Sequence, residues 1–292
     1  MIDEALGYLR CPQCAGDQAL TRQAKALKCG VGHSFDIARA GYVNLLPSGG
    51  SRNSGDTNEM ITARKTFLGT GHFAGLATAV ADLACAQVPG TDRGCVVDIG
   101  AGTGYYLGAM LDRLPSYTGI ALDLSKSALR LAARAHRRIC AVGADAWRAL
   151  PVRSSAADLV LNVFAPRAGA ESHRILRPGG RLIVVTPAPS HLLELADPLA
   201  LIGIDSRKED RLASKLAPYF SSATTRDYSA RLSLDHDSVA ALVTMGPNSW
   251  HTDSGALAAS IGKLPDQVTV TIAARISVWI SPAKATASGP QD

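Results

Sequence analysis

Residues Cys95 to Gly104, CVVDIGAGTG, constrain the chain more than any other stretch. An apolar run leads into Asp98, and Gly100, Gly102 and Gly104 then alternate with small residues before Tyr105 and Tyr106. A short β-branched run bounded by glycines reads as a buried parallel strand. Glycines let the backbone turn tightly and approach a ligand where a Cβ would clash. The pattern then predicts a helix over Leu107 to Leu114 and a strand over Tyr117 to Leu122 that ends in Asp123. An acid about 20 positions after such a turn stands where a nucleotide-type ligand presents its ribose hydroxyls. A purely structural strand–turn–helix is the competing reading, because turn glycines are common.

The acid that precedes the glycines narrows the ligand. A carboxylate at Asp98 would repel a pyrophosphate but suits the cationic end of S-adenosylmethionine. The segment resembles the first motif of the class I methyltransferases, with Asp123 as their second. That resemblance implies a Rossmann-like α/β fold, with a seven-stranded, mostly parallel sheet. It also places Asp98, Gly100, Gly102, Thr103, Gly104 and Asp123 at the cofactor.

The chain has 292 residues, 47% of them hydrophobic, enough for one large domain with an appendage. No apolar run approaches the roughly 20 residues of a membrane helix. The opening MIDEALGYLRCP lacks a basic start and an apolar core, so a cytoplasmic protein without a secretory signal is expected. A net charge of +5 permits a nucleic-acid partner without requiring one.

Three of the six cysteines fall within the first 29 residues. Cys11-Pro12-Gln13-Cys14 is followed by Cys29 and His33. Two close pairs, facing each other, make the Cys3His set of a tetrahedral zinc site. Four protein ligands leave no open position, so the zinc is expected to be structural. A redox CxxC pair would leave Cys29 and His33 without a purpose. Cys85, Cys95 and Cys140 are isolated among apolar residues and read as core thiols.

HSFDIARAGYVNLL, GDTNEMITARKTFLGTGHF, VVDIGAGTGYY, NVFAP, RILRPGGRLIVVTP and HLLEL occur in this order. Together they resemble the 23S ribosomal RNA guanine-N1 methyltransferases, and NVFAPR, LDHD and MGPNSWH are nearer to the actinobacterial branch that includes the tylosin-resistance enzyme. The resemblance implies three regions: a zinc ribbon over 1–40, a helical linker and lid over 41–90 and a methyltransferase domain over 91–282; the small, polar stretch 283–292 lies outside it and is expected to be a disordered tail. It implies methyl transfer to a guanine in the hairpin 35 loop of domain II, 23S rRNA as partner, and macrolide resistance as a role. Family cofactor contacts carry over to Gly102, Thr103, His191 and the aromatic after Gly71-His72. That aromatic is Phe73 where tyrosine is usual, so packing replaces any hydroxyl contact.

By class I analogy Asp145 meets the adenine amino group. Asn162 and Phe164 end the fourth strand, where ligands of open α/β sheets bind. Asn162 is expected to receive the guanine N1–H and Phe164 to pack on the ring; an ordinary strand-end turn is the plainer reading. Asp56, Glu59 and Asn162 are candidates for the base, and Arg52, Arg64 and Lys65 for phosphate contacts. Lys126, Arg130, Arg134 and Arg138 fall at four-residue steps, as an RNA stripe or a solvated helix face. Trp250 is a candidate for stacking on a base or for core packing. The loop from Pro47 to Asp56 is expected to be mobile. The sequence leaves a homodimer open, and a small-molecule methyltransferase is the alternative function.

Overall fold

Val96 and Val97 are adjacent and both fully buried, but they join two different hydrophobic clusters. Successive strand side chains point to opposite faces, so this strand must be covered on both sides. The computed structural model describes residues 1–47, 55–88, 93–201, 203, 208–250 and 253–282, without the side chains of 208–210, 223 and 250.

A short helix α1 (Ile2–Ala5) precedes an antiparallel ribbon of β1 (Leu20–Gln23), β2 (Ala26–Cys29) and β3 (Ser34–Asp36). A two-residue strand β4 (Val43–Asn44) and helices α2 (Asn58–Gly69) and α3 (Ala74–Cys85) follow. Next come β5 (Gly94–Ile99), α4 (Tyr105–Arg113), β6 (Tyr117–Asp123), α5 (Lys126–Ala135) and β7 (Ile139–Gly143). The chain continues through β8 (Ala157–Val163), α6 (Gly169–Ile175), β9 (Leu176–Pro187), α7 (Leu193–Ala196) and α8 (Lys208–Leu216). It ends in β10 (Ser221–Leu234), α9 (His236–Thr244), α10 (Ser254–Ile261) and β11 (Val268–Ile280).

The main sheet has the order β10-β11-β9-β8-β5-β6-β7-β4. All pairs are parallel except β11 with β9 and β10. Among the described residues the sheet has eight strands rather than the expected seven. The extra one, β4, is too short to show a period. It exists because it pairs with β7, where a Cβ on Gly143 would lie 2.5 Å from the Asn44 side chain. Strand order reverses at β5, which has β6 on one side and β8 on the other. In open α/β sheets that reversal opens a crevice at the carboxyl ends of the strands.

Helix starts follow local capping. Thr57 accepts from the Met60 N–H at 3.2 Å, Asp235 from Ser238 at 2.8 Å and Asp253 from Ala256 at 2.9 Å. α5 buries Ala128, Leu129, Ala132 and Ala133 and exposes Lys126, Arg130 and Arg134. Arg138 departs from the expected stripe. It lies beyond the helix, and its guanidinium donates to the carbonyls of Leu111, Leu114 and Tyr117. Those bonds brace α4 against β6, so Arg138 is structural.

The ribbon is not a tethered module. Leu27 and Phe35 share a cluster with Leu150, Val152 and Cys140 of the main body. Leu9 bridges Val152, Arg10 N–H donates to the Pro151 carbonyl at 3.0 Å, and Arg153 N–H donates to Tyr8 at 2.8 Å. Glu171 and Arg174 hold the far side of this segment. Glu171 accepts from Leu150 N–H at 2.6 Å, and Arg174 donates to the Val152 and Leu150 carbonyls at 2.9 and 3.0 Å. The expected tail over 283–292 and most of the loop expected to be mobile, 48–54, lie outside the described residues.

Candidate functional site

The glycine turn leaves β5 with Gly100, Gly102 and Gly104 all at positive φ, +74°, +55° and +79°. Only glycine adopts these values freely. A Cβ on Gly100 would stand 2.6 Å from that of Ala165, so the turn packs directly on the loop after β8. Asp123 ties the turn to β6. Its two oxygens accept from the N–H groups of Gly102 and Ser125, each at 2.8 Å. Asp98 is 2% exposed, and its Oδ1 is buried with no hydrogen-bond partner. Burial, and then the charge of Asp123, push the Asp98 carboxyl up to about 8. Thr103 and Gly104 complete the turn, and α4 starts at Tyr105, two residues earlier than expected.

Asn162 is 3% exposed at the end of β8. Its Nδ2 donates to the carbonyls of Pro166 at 2.7 Å and Ile99 at 3.4 Å. Two carbonyl acceptors fix which end of the amide is nitrogen, because an oxygen there would face oxygens. The amide oxygen is therefore the other end, and it is buried without a partner. Phe164 has a φ of +52° and is 41% exposed. Left-handed backbone is uncommon for an aromatic residue and marks a held conformation. Its ring stacks on His191, centroids 6.2 Å apart at 28°. His191 lies in a turn ahead of α7 rather than starting a helix. Its Nδ1 accepts from the Ala273 N–H at 3.2 Å, and burial lowers its pKa to about 4. The imidazole is thus neutral at pH 7.

The fold brings Asn162, Phe164, His191 and the glycine turn to one crevice. Asp145 sits at the rim, 4% exposed, with Oδ1 accepting from Trp147 N–H at 2.9 Å. Phe73 is packed elsewhere, in the core edge-on to Phe67 with centroids 5.1 Å apart. Arg64, expected at phosphates, is drawn inward: it pairs with Asp56 at 2.5 Å and donates to the Met245 carbonyl at 2.8 Å. Lys65 and Glu59 are exposed. Arg52 and the side chain of Trp250 lie outside the described residues. Cys95 and Cys140 are buried and Cys85 is half-buried. Sequence reasoning missed Tyr106, whose hydroxyl is buried without a partner. The only signal was its place just after the glycines.

In the ribbon, the ligand atoms of Cys11, Cys14, Cys29 and His33 lie within 4.8 Å of one another. Tetrahedral zinc with the usual bond lengths needs sulfur–sulfur gaps of about 3.8 Å and sulfur–nitrogen gaps of about 3.6 Å. The Cys14–Cys29 gap is 3.8 Å, and His33 Nδ1 lies 3.6, 3.3 and 3.4 Å from Cys11, Cys14 and Cys29. The donor set fits zinc without rearrangement. The neutral crevice histidine, the two acids and the glycine cradle fit a cationic nucleoside in the same way.

Fold and site together define a class I, S-adenosylmethionine-dependent methyltransferase with a structural zinc ribbon. The ribbon family described as "RlmA, N-terminal" matches residues 9–52, and a methyltransferase-domain family matches 96–180. The chain is 45% identical to the Streptomyces fradiae 23S rRNA (guanine(748)-N(1))-methyltransferase, covering 95% of this chain and 98% of the other. It is 47% identical to a Micromonospora griseorubida protein provisionally named 23S rRNA (guanine-N(1)-)-methyltransferase, with the same coverage. YcgJ of Bacillus subtilis shares the fold, with a TM-score of 0.51 and 14% identity over 70% of this chain and 98% of its own. The chain belongs to the 23S rRNA guanine-N1 methyltransferase family.

Two outcomes follow from this geometry. Replacing Cys14 by Ser should take zinc from about one per chain to near zero, read by plasma mass spectrometry; full retention would contradict the ligand set. Asp98 has a folded pKa near 8, well above its unfolded value, so its protonated form stabilises the fold. That stabilisation is lost as pH rises from about 4 through 8, and Asp98→Asn should remove this part of the slope in urea melts. An unchanged slope would show that Asp98 is ionised in the fold.

Proposed function

We propose that the crevice transfers the methyl group of S-adenosylmethionine to N1 of a guanine in 23S rRNA. The observation that carries this reading is the buried, unpartnered oxygen of Asn162 beside the glycine turn. Neutral guanine carries a proton on N1, and that proton must leave as the methyl arrives. An acceptor fixed at that edge holds the N1–H and aims the nitrogen. An amide is not a base, so Asn162 orients and the proton passes to water. N1 lies on the Watson–Crick edge, so the base must be unpaired to enter. Phe164, exposed and backed by His191, offers a face for the entering ring.

Bound at the glycine turn, S-adenosylmethionine supplies an already activated methyl on a sulfonium. The chain's own work is then alignment. Gly100, Gly102, Thr103 and Gly104 cradle the ligand, Asp98 and Asp123 face its cationic and ribose parts, and Asp145 the adenine. His191 stays neutral beside a cation it would otherwise repel. Phe73, buried edge-on to Phe67, would contribute by packing, without a hydroxyl contact.

We extend the proposal to a guanine in the hairpin 35 loop and to macrolide resistance as the consequence; the Streptomyces fradiae relative's name gives its own target as guanine 748. A ribosomal substrate implies a cytoplasmic protein. The 1–40 ribbon and the 41–90 segment would brace and cover the RNA cleft, with the methyltransferase domain over 91–282; light scattering decides whether the unit is a monomer or the homodimer the sequence leaves open. A small-molecule acceptor is disfavoured, since it gives the zinc ribbon nothing to do.

The test is primer extension on unmodified 23S RNA. N1-methylguanine blocks pairing, so a cofactor-dependent stop should appear one nucleotide before the hairpin 35 guanine. Asn162→Ala should lower kcat about 100-fold and change cofactor affinity less than about twofold. Methyl incorporation elsewhere would overturn the target, and full activity of Asn162→Ala would overturn its role.

A further inference from the structure

Two polar groups meet at the glycine turn, one orphaned and one with donors to spare. The hydroxyl of Tyr106, in the first turn of α4, is buried with no hydrogen-bond partner. The guanidinium of Arg64, from α2, stands against Gly102, so that a Cβ there would lie 3.1 Å from Nη1. A buried hydroxyl left unpaired costs about 1–3 kcal/mol. Such an orphan beside a ligand cradle marks the place of a missing partner.

Asp98, Gly102 and Tyr106 belong to one strand–turn–helix segment, and Arg64 stands against its middle. The charges of Arg64 and Asp98 both act on Tyr106. Asp98 also carries an orphan oxygen, and the charge of Asp123 acts on it. An orphan hydroxyl and a guanidinium make an anion niche, and Asp98 beside them makes a cation niche. A ligand that fills both carries the two charges of an α-amino acid close together. A phosphate fits less well, because Asp56 pairs with Arg64 and acts on Asp123, which acts on Asp98, and these acids would repel its greater charge.

We propose that the Tyr106 hydroxyl and the Arg64 guanidinium bind the α-carboxylate of the cofactor's methionine half, with Asp98 opposite for its ammonium. This rests on the cofactor site proposed above. The bonds of Arg64 to Asp56 and to the Met245 carbonyl leave further N–H donors of the guanidinium. They also hold it over the turn, between α2 and the end of α9. Asp56 thus acts as a positioning residue that aims a planar fork at a planar carboxylate. The tyrosine gives the second donor, and its ring position on α4 is fixed by edge-on packing with Tyr105, centroids 5.3 Å apart.

Calorimetry on the full chain separates this from a structural role. The probes are S-adenosylmethionine and its decarboxylated form, which keeps the sulfonium, the adenosine and the amine and lacks only the carboxylate. The wild-type protein should prefer the intact cofactor at least about tenfold. Tyr106→Phe, which removes one oxygen, should weaken the intact cofactor about tenfold and the decarboxylated one less than about twofold. Arg64→Met should show the same selectivity with a larger loss. Equal losses for both ligands would make the residues structural and overturn the inference. So would a wild-type protein that binds both ligands equally, or an Arg64→Met protein that loses RNA affinity alone. Failure of the wild-type protein to bind either ligand would instead overturn the cofactor site beneath it.

Discussion

The carboxylate of Asp123 holds the site together. It is the last residue of β6, and it takes one N–H from the glycine turn after β5 and one from the start of α5. Those two bonds set the gap between adjacent parallel strands at the point where the strand order reverses. They also pin Gly102, the middle one of the three positive-φ glycines. The loop after β8 then packs on Gly100, so Asn162 and Phe164 inherit their positions from the same lock. The lock carries an electrostatic consequence. Burial disfavours ionisation of both Asp98 and Asp123; the charge of Asp123 adds to this at Asp98, and the charge of Asp56 adds to it at Asp123. A cation placed there would favour the ionised form of both acids.

The ribbon is held by the opposite kind of force. Its zinc site closes a small sheet too short to carry a core of its own. The core is borrowed: Leu27 and Phe35 complete a cluster with Leu150 and Val152, and Glu171 with Arg174 stiffens the partner segment from behind. The ribbon therefore has a fixed place at the β7 edge, with β4 running from it towards the carboxyl ends of the strands. An appendage held in this way keeps one geometry relative to the crevice, as a large, structured RNA substrate demands.

Much of this was legible in the sequence because it follows from local chemistry. The zinc ligands declare themselves by spacing, and the glycine turn by residue types that only one backbone path accommodates. The strands and helices around it follow from period and length. What escaped was set by distant partners. β4 is two residues made into a strand by β7. Arg138 sits at helical spacing with Arg134, yet it leaves the helix to bond three carbonyls. Phe73 and Arg64 come from one segment, and their roles exchange: the aromatic turns into the core and the cation turns towards the glycines. No spacing rule states that exchange, because it depends on how α2 lies across α9 and how α3 lies across α4. The orphan oxygens of Asn162, Tyr106 and Asp98 are likewise invisible until every neighbour is in place.

The account makes the Asp123 lock the origin of cofactor binding. Titration of S-adenosylhomocysteine into Asp123→Asn, beside the wild-type chain, tests it directly. An asparagine keeps one acceptor and turns the other into a donor facing an N–H. Affinity should fall at least about tenfold, with the circular dichroism spectrum and zinc content unchanged. Wild-type affinity in a folded Asp123→Asn protein would contradict the account at its centre.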